Sequence, residues 1–130
     1  MVRIRVLIAD DHEGMLEYIR ELLEPEFDVV AFVGDGQSLI SAADTFQPDV
    51  IVTDISMPRI NGIEAARLII QKNPTSRIVL LTAYKDSALL EQGLSAGALG
   101  YVLKLKADEE LSLAIHSALE DKRFVSPGVS

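Results

Sequence analysis

Residues 49–58 decide the fold of this chain, and they read Asp49-Val50-Ile51-Val52-Thr53-Asp54-Ile55-Ser56-Met57-Pro58. The first half is an almost continuous apolar and β-branched run, which is typical of a strand covered by helices on both faces. Asp54 follows where that strand is predicted to end. The stretch therefore predicts a buried parallel strand that places a carboxylate at the edge of a sheet.

Four further apolar runs, at residues 4–9, 28–32, 77–81 and 99–103, have the same character. Between and after them lie five stripes at helical spacing, within residues 15–23, 39–46, 63–70, 89–94 and 111–119. The first four helices are predicted to end at residues that interrupt helices, namely Pro25, Pro48, Pro74 and Gly97. The alternation predicts an α/β fold with a five-stranded parallel sheet, flavodoxin-like (βα)5, in the strand order 2-1-3-4-5.

Composition narrows the class of protein. A chain of 130 residues without cysteine has the size of one domain that folds without disulfides. The net charge of −8 and the lack of a basic run argue against nucleic-acid binding by this chain alone. No apolar run is long enough to cross a membrane, and we expect a soluble, cytoplasmic protein.

Polar side chains follow four of the predicted strands. Asp10 and Asp11 end the first strand, Asp54 the third, Thr82 the fourth and Lys104 the fifth. Ligands of open α/β sheets bind beyond the carboxyl ends of the strands. We therefore expect these five residues to converge at one edge of the sheet.

Three neighbouring carboxylates repel one another, and a divalent cation relieves that repulsion. Mg²⁺ prefers oxygen ligands, so Asp11 and Asp54 are predicted to bind it directly and Asp10 through water. Asp54 is also suited to form an aspartyl-phosphate, with Lys104 neutralising the transferring group and Thr82 donating a hydrogen bond. Helix capping by Asp10 or Asp11 is the simpler alternative for that pair.

Four segments together resemble the receiver domain of two-component response regulators. They are Asp10-Asp11, then Asp54-Ile55-Ser56-Met57-Pro58 with Asn61-Gly62, then Leu81-Thr82-Ala83, and finally Gly100-Tyr101-Val102-Leu103-Lys104. Each segment is weak by itself, but the ordered set covers almost the whole chain and is highly specific.

The resemblance implies that Asp54 is the phosphoacceptor and receives its phosphoryl group from a sensor histidine kinase. It implies that Asp10, Asp11, Asp54 and the backbone carbonyl of Ser56 hold Mg²⁺. Lys104 would contact the phosphoryl group. The domain would act as a switch and not as an enzyme.

The resemblance further implies that Thr82 and Tyr101 are coupled switch residues, with Tyr101 turning inward after phosphorylation. Plain packing is the alternative for an aromatic residue in a terminal strand. Ser56 and Tyr84 occupy positions that tune phosphate hydrolysis in the family, or else only line the rim.

The subfamily most similar to this chain carries a C-terminal helix-turn-helix DNA-binding domain. We accordingly interpret residues 1–122 as the receiver domain and residues 123–130 as the start of a linker to an effector domain that is missing here. The output would be transcription, with DNA bound through that domain and a homodimer formed on phosphorylation. The fifth helix and the first helix are candidate dimer faces, although core packing also explains their apolar residues.

Three other functions are weighed against this one. A phosphatase of the haloacid-dehalogenase type would have a second Asp at the position of Ser56. A flavin carrier would need a phosphate-binding loop where acidic residues follow the first strand. A degenerate receiver that only binds a partner would not need the complete set of site residues.

A few residues remain outside the motif. Leu105 stands where many receivers have proline, and we expect a trans bond after Lys104. Lys106 either contacts the phosphate or lies on the surface. His12 and His116 are interpreted as surface residues.

Overall fold

Strands and helices alternate along the chain as the hydrophobic pattern predicts. The structure is a computed structural model that describes residues 3–129. The predicted strands are β1 (Arg5–Ala9), β2 (Asp28–Val33), β3 (Val50–Thr53), β4 (Ile78–Thr82) and β5 (Gly100–Leu103). The helices are α1 (Glu13–Leu23), α2 (Gly36–Phe46), α3 (Gly62–Lys72), α4 (Ser87–Ser95) and α5 (Ala107–Leu119), and a 3-10 turn covers Lys104–Lys106.

Within residues 3–129 the sheet is wholly parallel and has six strands in the order β2-β1-β3-β4-β5-β6. The predicted order of the first five strands is correct, but the expected number of strands is wrong. The additional strand, β6, consists of Phe124–Val125 and pairs with the outer edge of β5. Two residues are too few to produce a hydrophobic period, so the sequence pattern does not reveal this strand.

Each face of the sheet has its own core. Alternate residues of a strand point to opposite faces, so Val6 and Ile8 pack with α1 and α5 while Leu7 packs with α2, α3 and α4. All three residues are fully buried. Burial on both faces explains why β1, β3 and β4 read as continuous apolar runs. In α5, Leu111 and Ile115 are also buried, which supports core packing as the explanation of its apolar stripe.

Close packing against the end of β3 determines where α3 begins. Asn61 caps this helix by accepting a hydrogen bond from the Glu64 N–H at 2.9 Å. The next residue, Gly62, lies so close to β3 that an added Cβ would approach the carbonyl oxygen of Asp54 to 1.9 Å. Only glycine fits there, so α3 starts directly against the backbone of Asp54.

The segment after α5 returns to the sheet. The N–H of Phe124 donates to the Leu99 carbonyl and the N–H of Ser126 to the Tyr101 carbonyl, both at 2.9 Å. Val129 is 4% exposed and belongs to the core cluster that contains Tyr101. Most of the segment expected to begin a linker thus packs on the domain, and the boundary at residue 122 stays a prediction.

Two smaller expectations concern the backbone and the membrane. The bond between Lys104 and Leu105 is trans, as expected, and residues 3–129 contain no cis peptide bond.

Among the helices that the structure describes, none combines the length and the apolar character that crossing a membrane requires.

Ser126 should anchor β6. Its buried hydroxyl accepts a hydrogen bond from the Leu103 N–H at 3.0 Å and donates one to the Glu110 carboxylate. Ser126→Ala would leave both groups without this partner, and we expect the free energy of unfolding to fall by about 1–3 kcal/mol in a urea titration. Ser41→Ala, at an exposed position of α2, is the control and should change stability by less than about 0.5 kcal/mol. Equal, small effects of both substitutions would contradict an anchoring role.

Candidate functional site

The predicted polar residues meet at the carboxyl edge of the sheet. Asp10 and Asp54 follow residues Ala9 and Thr53, which are paired across β1 and β3. Thr82 is the last residue of β4, and Lys104 follows β5 directly. The strand order therefore brings together the residues that the sequence placed at this edge.

A lysine ammonium group joins the two buried carboxylates of the site. Lys104 Nζ lies 2.8 Å from Asp10 Oδ2 and 3.2 Å from Asp54 Oδ2. Both aspartates are buried, at 1% and 5% exposure, whereas the side chain of Asp11 is 31% exposed. The second oxygen of Asp54 accepts a hydrogen bond from the Ile55 N–H at 2.8 Å. Asp54 is consequently held on both of its oxygens.

Burial and neighbouring charges shift the pKa values of both Asp54 and Lys104. Burial raises the pKa of the Asp54 carboxyl, and the charge of Asp10 raises it further, while attraction to Lys104 opposes the shift. Burial alone would lower the pKa of Lys104, but its contacts with Asp10 and Asp54 outweigh that effect and raise it. Lys104 is therefore a firmly charged cation, and ionised Asp54 carries an electrostatic penalty.

The acidic side chains fit a divalent cation. Potential ligand atoms of Asp10, Asp11, His12 and Asp54 all lie within 4.8 Å of one another. Asp10 Oδ2 is buried and pairs with Lys104 Nζ at 2.8 Å, but the same ammonium is shared with Asp54. Buried carboxylates are costly unless cations compensate them, and one ammonium leaves this cluster of three carboxylates with excess negative charge. The set of mostly oxygen donors fits the Mg²⁺ predicted from the sequence.

Thr82 and Tyr101 both bind the backbone of Tyr84. The Thr82 hydroxyl oxygen accepts a hydrogen bond from the Tyr84 N–H at 3.1 Å, and the Tyr101 hydroxyl donates to the Tyr84 carbonyl at 2.7 Å. Both side chains are buried, at 0% and 1% exposure. Tyr101 thus already occupies the inward position that we expected to follow phosphorylation, because its ring packs in the core and its hydroxyl donates to the Tyr84 carbonyl.

The rim of the site is formed by exposed residues. Ser56 is exposed, and Tyr84 has an exposed fraction of 52%. Lys106 lies on the surface, where its Nζ is 3.6 Å from Glu109 Oε2, which favours the surface interpretation of this residue. No contact in the structure tests the predicted influence of Ser56 and Tyr84 on phosphate hydrolysis.

Sequence reasoning missed what the two histidines contact. Both have exposed side chains, as predicted, at 74% for His12 and 50% for His116. His12 Nδ1 nevertheless lies 3.1 Å from Asp11 Oδ1, and His116 Nε2 lies 2.5 Å from Glu26 Oε2. The position of His12 directly after two aspartates was a usable signal, whereas Glu26 is distant from His116 in sequence.

Comparison with known proteins agrees with this geometry. Residues 6–116 match the family model described as the response regulator receiver domain. The transcriptional regulatory protein DegU of Brevibacillus brevis is 35% identical over 130 residues, which are 98% of this chain and 55% of DegU. The chain thus spans about half the length of this curated relative.

Two solved structures share the fold along nearly the whole chain. A LuxR-family two-component response regulator from Aurantimonas sp. SI85-9A1 superposes with a TM-score of 0.93 at 35% identity, covering 98% of this chain and 93% of that one. The isolated receiver domain of RcsB from Salmonella enterica serovar Typhimurium, solved with the phosphomimetic BeF3⁻, gives 0.88 at 32% identity, with coverages of 98% and 96%.

Asp54→Asn should stabilise the domain in the absence of metal. Because burial raises the pKa of Asp54 in the folded state, the free energy of unfolding falls as the pH rises from the ordinary value of 3.8 through the raised value. Removing the charge should add on the order of 1 kcal/mol at pH 7, or about 3–5 °C in Tm. Thermal unfolding in EDTA at pH 7 and at pH 4 measures this gain, which should shrink at the lower pH.

Asp28→Asn supplies the control because it removes the same charge from an exposed position. It should leave Tm within about 1–2 °C of the wild type. A gain for Asp54→Asn that is as large at pH 4 as at pH 7 would show that Asp54 carries no ionisation penalty.

Proposed function

This chain belongs to the response regulator receiver family, and we propose that it accepts a phosphoryl group on Asp54 and uses that event as a conformational switch. The observation that carries the proposal is the position of Lys104, whose ammonium lies 3.2 Å from the Asp54 carboxylate and 2.8 Å from that of Asp10. A nucleophilic carboxylate beside a fixed cation is the arrangement that phosphoryl transfer requires.

Asp54 is oriented for attack by its neighbours. The Ile55 N–H holds Oδ1, and Lys104 lies next to Oδ2. We propose that a carboxylate oxygen attacks the phosphorus of a phosphohistidine on a sensor histidine kinase. The phosphorus–nitrogen bond breaks, and its electron pair leaves with the imidazole. Lys104 then needs little movement to neutralise an oxygen of the new phosphoryl group.

The charge balance of the site supports a role for Mg²⁺. Asp10, Asp11 and Asp54 carry three negative charges, and Lys104 compensates one of them. The two remaining charges match one divalent cation. We propose that these carboxylates and the backbone carbonyl of Ser56 hold it. When bound, the cation would reduce the repulsion between the carboxylates and an incoming phosphate.

The switch would act on the backbone around Tyr84. A phosphoryl oxygen on Asp54 is a stronger acceptor for the Thr82 hydroxyl than any group that this hydroxyl contacts in the structure. If Thr82 turns toward it, the Tyr84 N–H loses its partner. Tyr101 binds the carbonyl of the same residue, so its side chain would respond to the same movement. We propose that Thr82 and Tyr101 are coupled through Tyr84.

The output and the partners are proposed from the relatives. DegU is a transcriptional regulatory protein, and the RcsB receiver was solved with a phosphoryl mimic. We propose that phosphorylation promotes a homodimer and controls transcription through a DNA-binding effector domain. The receiver itself catalyses no turnover of other substrates. Ser56 and Tyr84, exposed at the rim, would tune how fast water removes the phosphate.

Phosphorylation of Asp54 can be measured directly. Wild-type protein incubated with Mg²⁺ and acetyl phosphate should gain the mass of one phosphoryl group, because Asp54 and Lys104 provide the nucleophile and its counter-charge. Asp54→Asn should gain none, since an amide is a poor nucleophile. Intact-protein mass spectrometry measures both. Omitting Mg²⁺ should lower labelling of the wild type by at least about tenfold.

The exposed variant Asp28→Asn should be labelled like the wild type. Equal labelling of Asp54→Asn and the wild type would place the acceptor elsewhere. Continuous release of phosphate from many different esters would instead identify the protein as a phosphatase.

A further inference from the structure

His12 lies immediately beside the acidic residues of the site. Its backbone N–H donates a hydrogen bond to Asp10 Oδ1 at 2.9 Å, which ties the start of α1 to a buried carboxylate. The ring nitrogen Nδ1 is 3.1 Å from Asp11 Oδ1 and 3.4 Å from Asp10 Oδ1. The imidazole therefore faces the carboxylates from a backbone position that they help to fix.

The ring makes no other polar contact within residues 3–129. His12 is the N-cap residue of α1, but its side chain forms no capping hydrogen bond. At 74% exposure the ring is not held by packing either. Reorientation toward a cation would consequently break nothing except its contacts with the carboxylates.

Two independent observations point to a ligand at this position. His12 and the three aspartates each offer one atom within 4.8 Å of the others. In addition, the buried carboxylates of Asp10 and Asp54 share the one ammonium of Lys104, and Asp11 adds a third negative charge, so the charge of this group is only partly compensated. The imidazole nitrogen therefore lies within a group of oxygens that still carries excess negative charge.

A nitrogen ligand changes which metal ions a site prefers. Mg²⁺ favours oxygen ligands and gains little from imidazole, whereas Ni²⁺, Cu²⁺ and Zn²⁺ bind imidazole strongly. We propose that His12 is a direct ligand in the receiver site and shifts its preference from Mg²⁺ toward divalent transition metals. This inference rests on the metal site of the proposed function and adds a residue that sets metal specificity.

Calorimetric titration with Ni²⁺ and with Mg²⁺ tests the preference. At pH 7.5, His12→Ala should weaken Ni²⁺ binding by at least about tenfold. The same substitution should change Mg²⁺ binding by less than about threefold. His116→Ala is the matched control, because it removes the other histidine, which is half exposed and pairs with Glu26. It should leave both affinities unchanged.

Pulsed electron paramagnetic resonance with Cu²⁺ provides a readout that a positioning role would not affect. The wild type and His116→Ala should show the nitrogen coupling of a coordinated imidazole, and His12→Ala should lose it. Unchanged nitrogen coupling, or equal losses of Ni²⁺ and Mg²⁺ affinity in His12→Ala, would overturn the inference. A wild type that binds Ni²⁺ through His12 but fails to bind Mg²⁺ would support the inference and contradict the proposed magnesium-dependent function.

Discussion

The ammonium of Lys104, placed between the carboxylates of Asp10 and Asp54, is the interaction on which the site depends. Two carboxylates buried at the end of a hydrophobic sheet repel each other and have lost most of their hydration. One cation compensates them only in part. Because the compensation is incomplete, the edge of the sheet can bind a further cation. For the same reason, a reaction that changes the charge on Asp54 will also change the forces on the residues around it.

Most of the fold could be predicted because strands buried on both faces must be apolar along their whole length. The runs around β1, β3 and β4 satisfy that condition, and the prolines that follow the helices mark their ends. The strand β6 escaped prediction for the opposite reason. It is an edge strand of two residues whose stability comes from backbone hydrogen bonds and from the hydroxyl of Ser126. Neither source produces a pattern of apolar residues.

The sequence predicts those parts of the site that follow from the strand order of the sheet. It does not predict those that depend on the conformation of individual side chains. Asp10, Asp54 and Lys104 follow strands and Thr82 ends one, so the parallel sheet brings their backbones together whatever their side chains do. The inward position of Tyr101 depends on the carbonyl of Tyr84, which lies in a separate loop. The contact of His12 with the acidic pair depends likewise on a single backbone hydrogen bond to Asp10.

The short strand β6 also opposes self-association of the domain. It covers the backbone of β5, whose N–H and C=O groups would otherwise form an open edge next to the core. Open edges of parallel sheets are templates on which a second chain can add a strand. A fragment cut at Lys122 would expose that edge together with the N–H of Leu103, so we expect self-association to increase. By covering this edge, the residues after α5 therefore contribute to the solubility of the domain.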